Sequence, residues 1–345
     1  MKIVHVCSID KFIPPFIKYI DDNFNSSEHI YWIFGEDSRY NLEHSANVKL
    51  LGSGKANKIK NTMLLIKDIN NSDKVILHSF LGTNLAILLF LLPWVLKKCY
   101  WFVWGADLYC YKTKRNIKWY FREFFRKPVI KRIGHLVTYI KGDYLLAKKW
   151  YGCTGQYVEC LLYSSNVFKH MDLQRKNESD GVQILLGNSA DPANNHFRAF
   201  EKIERFKSEN IKVFVPLSYG DQIYAEKVIS EGKRIFGDKF IPLTEFMPFQ
   251  KYLDLLATID IAIFNHDRQQ AMGNTISLLG LGKTIFINSN TTQWELLKDK
   301  EIHVLDIKDF TLTFISEEMR NENVRKIKEY FSNETLAKQL RSIFK

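Results

Sequence analysis

The sequence predicts an α/β protein of two lobes, each a parallel sheet with helices packed on both faces. Three observations carry that expectation. The chain has 345 residues, too many for one ordinary core and suited to two of about 150 residues each. Its composition, 46% hydrophobic and 25% charged, is that of a globular protein. Short apolar runs rich in β-branched residues alternate with longer segments, and the rhythm breaks once and restarts.

In order, Lys2–Cys7 and 30–34 read as strands. Residues 74–80 (KVILHSF) form a near-continuous apolar run, as a strand buried on both faces requires. An apolar helix is expected over 84–96, interrupted by Pro93, then a strand over 99–104, a basic helical stretch, and strands over 135–140 and 159–163. Residues 169–181 (KHMDLQRKNESDG) are polar and charged and make the best linker. Beyond it, strands are expected at 182–186, 212–216, 240–243, 259–264 and 283–288, with helices near 249–258, 271–281 and 291–299. One amphipathic helix is expected over roughly 320–344. The expected domains are therefore 1–170, 181–320 and a C-terminal helix, 321–345. Sheets of this kind bind ligands beyond the carboxyl ends of their strands, so the two would face a cleft across those ends.

Composition excludes several classes. The five cysteines are odd in number and show no C-x-x-C spacing, which speaks against a disulfide framework or a zinc site and for a reducing compartment. Met1–Cys7 reads as a strand and not as an export signal. The most apolar stretch, Leu85–Leu96, is too short to cross about 30 Å of hydrocarbon. The turn Leu51-Gly52-Ser53-Gly54-Lys55-Ala56 fails as a phosphate loop, because Ala56 stands where Ser or Thr is needed and Lys49 where Gly is needed. No G-x-G-x-x-G follows the first strand, and no D-x-D triplet occurs to hold a metal.

The net charge of +11 is concentrated. Between Lys112 and Lys149 there are twelve Lys and Arg against Glu123 and Asp143 alone, interleaved with Trp119, Tyr120, Phe121, Phe124 and Phe125. Lys118, Arg122, Arg126, Lys127, Lys131 and Arg132 are the candidates for contact with an anionic bilayer. The bland alternative is a solvated basic face with its aromatics in the core. No helix-turn-helix, zinc-finger or RNP signature supports nucleic acid.

Candidate chemistry sits after the strands. Gly187-Asn188-Ser189 ends one, and Asp191–His196 opens the next helix. Phe264–Thr275 (FNHDRQQAMGNT) follows a buried strand and opens a helix: Arg268 suits a phosphate, and Gly273, Asn274 and Thr275 offer amides and a hydroxyl. A nucleotide base would stack near Tyr219 and 246–249. Asp107, after the strand at 99–104, and Asp10, after the first, are rival general bases. His78 and His266 read as structural.

The motifs W-G-A-D-L-Y at 104–109, L-G-N-S at 186–189 and R-Q-Q-x-x-G at 268–273 resemble the 4-acetamido-4,6-dideoxygalactosyltransferase family over about residues 1–300. The resemblance implies a GT-B fold of two Rossmann-like domains, the N-terminal one for the acceptor and the C-terminal one for the donor. It implies an inverting, metal-independent transferase without cofactor. The donor would be a nucleotide sugar, dTDP-linked, and the acceptor a polyprenyl-pyrophosphate-linked glycan such as lipid II of enterobacterial common antigen. It further implies peripheral attachment to the cytoplasmic face of the bacterial inner membrane. Asn188, Ser189, Arg268, Gln269, Gln270 and Gly273 fall in the donor region. Where the family pattern reads R-Q-Q-G-x-G-T, this chain has Ala271 and Asn274. The alternatives are a UDP- or GDP-sugar transferase of O-antigen assembly and a two-lobed binder without catalysis.

Overall fold

The computed structural model describes residues 1–35, 42, 45–52, 55–170 and 181–345. Part of the 51–56 turn and most of the expected linker therefore lie outside the described residues. The chain divides into two compact units, Met1–Ser165 with Asn333–Lys345, and Asn166–Ser332.

Among the described residues, unit 1 holds seven parallel strands: β1 (Ile3–Ser8), β2 (His29–Phe34), β3 (Val48–Leu50), β4 (Lys74–His78), β5 (Cys99–Phe102), β6 (His135–Val137) and β7 (Gln156–Val158), in the order β3-β2-β1-β4-β5-β6-β7. Alternation along β1 sorts the two faces. Val4 and Val6 join the core under helices α2 (Lys55–Asn70), α3 (Thr83–Leu91), α5 (Ile117–Arg132) and α6 (Lys141–Tyr151). His5 on the opposite face packs on Phe16 of α1 (Ile13–Asn23) and Phe344 of α13 (Asn333–Phe344). That second face carries a buried chain of imidazoles: His29 Nδ1 to His5 Nε2 at 2.8 Å, His5 Nδ1 to His78 Nε2 at 2.9 Å, and His78 Nδ1 to the Tyr163 hydroxyl at 2.7 Å. A short helix, α4 (Ala106–Tyr109), follows β5.

Among the described residues, unit 2 holds six parallel strands: β8 (Val182–Leu186), β9 (Ile211–Pro216), β10 (Phe240–Leu243), β11 (Ile261–Phe264), β12 (Thr284–Ile287) and β13 (Leu305–Asp306), in the order β10-β9-β8-β11-β12-β13. Its helices are α7 (His196–Ile203), α8 (Gln222–Phe236), α9 (Phe249–Thr258), α10 (Met272–Gly280), α11 (Thr292–Asp299) and α12 (Glu317–Tyr330). In both sheets the strand order reverses once at the centre, between β1 and β4 and between β8 and β11. Those switch points are where the loops of a doubly wound sheet part and a ligand fits.

Three expectations need correction. The run Cys160–Tyr163 is not a strand; the strand is Gln156–Val158. The run is apolar because it is buried, and Leu162 adopts φ 72, which no strand tolerates. The apolar helix stops at Leu91, before Pro93, and a 3-10 turn completes it. The single helix expected over 320–344 is two, α12 and α13, separated at Phe331 and Ser332. The chain turns there to bring α13 onto the first sheet, where Leu161 N–H bonds Gln339 and Lys74 Nζ bonds the Ile343 carbonyl. All five cysteines are free and buried, as expected of small apolar fillers.

Candidate active site

The switch point of unit 2 collects most of the residues expected to bind the donor. β8 ends in Gly187, whose amide continues the ladder to the Ile263 carbonyl. Gly187 has φ +70, and a Cβ there would lie 2.7 Å from Asn194 Oδ1 and 2.8 Å from His196 Nε2, so both backbone and space demand glycine. Asn194, fully buried, is the organiser of the turn. Its Oδ1 accepts from the Asn188 amide at 2.9 Å and faces His266 Nε2 at 2.9 Å. Because an amide N–H can only donate, the Asn194 oxygen is fixed, and His266 must carry its proton on Nε2. His266 stays neutral: burial, then the Arg268 guanidinium, then His196 lower its pKa to about 3. Burial likewise lowers His196 to about 4.

After β11 the chain passes through Asn265, exchanging bonds with Asn195, and reaches Arg268. The Arg268 side chain is 23% exposed. Its guanidinium donates to the Gln269 carbonyl at 3.2 Å and stands 3.7 Å from the Asp191 carboxylate. That loose engagement leaves donors for an anion. Gln270 Nε2 reaches Asn188 Oδ1 at 3.1 Å, and Asn188 Nδ2 reaches the Tyr219 hydroxyl at 3.0 Å. The motifs after β8, β9 and β11 are thus one hydrogen-bonded surface. Tyr219 leaves 47% of its surface exposed, available for stacking, while burial raises its hydroxyl pKa.

Helix α10 begins here without a side-chain cap. Its N-cap, Ala271, adopts φ 57, a left-handed conformation that glycine would enter without steric cost. This explains the Gly of the family pattern at that position. The first amides of α10 and their positive end of the dipole suit a phosphate.

Not every expected donor residue offers its side chain to a ligand. Thr275 is fully buried; its hydroxyl donates to the Ala271 carbonyl at 3.1 Å and accepts from Gln293 Nε2 at 2.9 Å. Its amide closes the first helical turn to the Ala271 carbonyl. Ser189 is 2% exposed, with its hydroxyl on Asn194. Gln269 is 8% exposed, and the Asn274 amide donates to the Tyr252 hydroxyl at 2.8 Å. Thr275 and Ser189 therefore brace the surface, and Gly273 contributes backbone. Gln293 and Tyr252 escaped sequence reasoning. Gln293 is the second residue of α11, at the far end of the loop that follows β12, and nothing local flags Tyr252.

In unit 1 the two carboxylates part. Asp107 is fully buried, and both oxygens are taken: Oδ2 accepts from the Phe80 amide at 2.9 Å and Trp101 Nε1 at 2.6 Å, Oδ1 from the Trp104 amide at 3.0 Å. With no exposed surface and three protein donors on its oxygens, Asp107 is out of reach of a substrate hydroxyl, so its reading as base is corrected to a brace. It holds the loop after β4 at Phe80, next to Ser79 with φ 68. Asp10, after β1, is half-buried. Burial raises its pKa, against the opposing Phe12 amide and Lys11. Its carboxylate accepts from the Phe12 amide at 3.3 Å. Asp10 lies at the β1/β4 switch point and, unlike Asp107, keeps part of its surface exposed.

The basic helix α5 also divides. Arg126 has no exposed surface: Nε donates to the Phe80 carbonyl at 2.6 Å, and the guanidinium also bonds Glu123, Tyr151 and the Asp107 carbonyl. Its assignment to a membrane surface is corrected; it is the second clamp on Phe80. Arg122 pairs with Glu123 at 3.2 Å. Lys118, Lys127, Lys131 and Arg132 are exposed. Among the described residues, no helix is long and apolar enough to cross a membrane, and no group of His, Cys, Asp or Glu gathers to hold a metal ion.

The sequence matches, over residues 16–339, the family described as 4-alpha-L-fucosyltransferase glycosyl transferase group 56. The chain belongs to this family. It is also the family of the N-acetylfucosaminyltransferase, to which the three motifs pointed. Solved structures share the fold at low identity. A sucrose-phosphate synthase from Thermosynechococcus elongatus matches with a TM-score of 0.67 and 10% identity, covering 100% of this chain and 98% of its own. A glycosyltransferase from Rickettsia africae matches with 0.67 and 12%, covering 99% and 98%. A trehalose-6-phosphate enzyme from E. coli, bound with UDP-2-fluoro glucose, matches with 0.62 and 9%, covering 99% and 98%. The fold is GT-B, with two Rossmann-like domains, and the chain is a glycosyltransferase. A binder without catalysis is thereby set aside.

Proposed function

We propose that this glycosyltransferase moves a 4-acetamido-4,6-dideoxyhexose from its dTDP-activated form to a polyprenyl-pyrophosphate-linked glycan, at the cytoplasmic face of the bacterial inner membrane. In this reading the donor binds unit 2 and the acceptor unit 1. The observation that carries it is the convergence of Asn188, Tyr219, Arg268 and Gln270 with the uncapped start of α10 at the β8/β11 switch point. The UDP-2-fluoro glucose held by a protein of this fold supports a nucleotide sugar as donor.

Arg268 and the first amides of α10 neutralise the diphosphate without metal, and Tyr219 stacks on the base. An acceptor hydroxyl attacks the anomeric carbon from the face opposite the diphosphate, which inverts that centre. The new C–O bond forms as the bond to the diphosphate oxygen breaks, and the nucleotide diphosphate departs with that electron pair. Asp10 accepts the hydroxyl proton. Negative charge grows on the leaving oxygens in the transition state, so Arg268 binds that state more strongly than the ground state.

The test is transfer to an undecaprenyl-pyrophosphate disaccharide from dTDP-, UDP- and GDP-linked sugars assayed in parallel. Preference for the dTDP-linked 4-acetamido-4,6-dideoxy sugar is the expected result. Ala271 and Asn274, where the family pattern has Gly and Thr, favour comparison of several sugars on the same nucleotide. Faster turnover of a UDP- or GDP-sugar would replace the reading with its O-antigen alternative.

A further inference from the structure

Helix α5 has a face that the fold leaves uncovered. Its buried side is Glu123, Arg126, Val129 and Ile130. On the opposite side Ile117 is 85% exposed, Tyr120 57%, Phe121 57% and Phe124 67%. Their spacing, i, i+3, i+4 and i+7, is one continuous stripe. Along the next turns of the same side stand exposed Lys127, Lys131 and Arg132. Beside the stripe lies α3, joined to α5 where Phe90 meets Phe124 and Phe125. It ends in Leu91, 63% exposed, followed by Trp94, 65% exposed. Both helices cover the same face of the first sheet, so their outer residues share one surface.

Large apolar side chains exposed together mark an interaction surface. The surrounding charge selects the partner. The acidic residue of α5, Glu123, is buried and paired, so the exposed cations carry no counterion on that helix. Cations beside an aromatic stripe complement a bilayer with anionic headgroups, where the rings enter the boundary and the lysines meet phosphates.

We propose that Ile117, Tyr120, Phe121 and Phe124 of α5, with Leu91 and Trp94, form a wedge that inserts into the surface of an anionic bilayer, with Lys127, Lys131 and Arg132 on its headgroups. Attachment is then by apolar insertion as well as charge, and it places unit 1 against the leaflet that holds a polyprenyl-linked acceptor. This last step rests on the function proposed above; the wedge does not.

The test is flotation of the purified chain with vesicles of phosphatidylethanolamine and phosphatidylglycerol, and with phosphatidylcholine alone. Wild-type protein is expected to float with the anionic vesicles. F121D/F124D is expected to lose about 100-fold in affinity, as removal of two buried aromatics requires. K127E/K131E is expected to lose its preference for anionic lipid. In Phe121→Trp, emission quenched by brominated acyl chains supports insertion. F121D/F124D should keep its transfer to a short-chain, water-soluble acceptor, which shows that it folds. Unchanged flotation of F121D/F124D overturns the wedge. So does a wild-type dimer that this variant disperses without any vesicle binding, because a second copy then covers the face. Flotation of a wild-type protein that transfers no sugar would overturn the proposed function and leave the wedge standing.

Discussion

Asp10 and Asp107 both follow strands of one sheet, yet only their surroundings decide what each can do. A carboxylate that accepts three hydrogen bonds in the interior is a structural acceptor. Asp107→Asn should therefore lower stability by about 1–3 kcal/mol, since its amide group leaves a buried donor partnerless, with little change in turnover of the folded protein. Asp10→Asn should instead reduce kcat by about 10²–10⁴ with near-native melting. Melting curves beside initial rates for the two variants separate the roles; equal loss of rate would place both in the chemistry. Ala271 offers a third test at this scale. Its left-handed φ of 57 is a strain that glycine removes, so Ala271→Gly should raise stability by up to about 1 kcal/mol in urea denaturation. Position after a strand marks which segments to inspect, because such residues face the ligand in sheets of this kind. It could not show which side chains turn inward. Thr275 and Ser189 look like ligands on paper and are braces in the fold, because an inward hydroxyl and an outward one have the same letter.

Among the elements, α5 has two unlike sides, one buried and one exposed. Its inner side clamps the loop after β4, where the Phe80 peptide is held by Asp107 at its N–H and Arg126 at its carbonyl. Removing one partner of a buried charge cluster is costly, so Arg126→Ala should destabilise the chain by about 3–5 kcal/mol in the same denaturation assay. An exposed neighbour, Lys131→Ala, should change stability by less than about 0.5 kcal/mol. A near-neutral Arg126→Ala would return that residue to the surface. The basic stretch was legible as composition, and its helical period was visible. What could not be read was that one of the six basic residues, Arg126, belongs to the core, because that depends on Tyr151 and Glu123 meeting it there. Likewise, the strand expected at Glu159–Tyr163 failed because burial alone makes a run apolar, and here the cover is α13, arriving from the far end of the chain.

For the whole molecule, alternation of strand and helix sufficed to forecast two parallel sheets, and three short motifs in order sufficed for the family. Short edge strands such as β3 and β13 were beyond it, since two or three residues carry no period. Both units keep histidines neutral in their interiors, and this links the fold to pH. Burial lowers His5 and brings His29 and His196 to about 4 and His78 and His266 to about 3, from an ordinary 6.5. Below 6.5 the unfolded chain binds protons that the folded one refuses. Stability from this source is therefore complete above about pH 6.5 and falls progressively toward pH 4. Urea midpoints measured between pH 7.5 and 4.5 should decline, whereas a flat profile would mean that the buried imidazoles are not excluded from protonation.

The claim on which the rest depends is that the β8/β11 switch point holds a nucleotide diphosphate through Arg268. Titration calorimetry of dTDP against the wild-type chain and Arg268→Ala tests it most directly. One site per chain is expected, tighter for dTDP than for UDP or GDP, weakened in the variant, with transfer slowed by about 10²–10³. Equal affinity in the two proteins, or no binding of any nucleotide diphosphate, would contradict it.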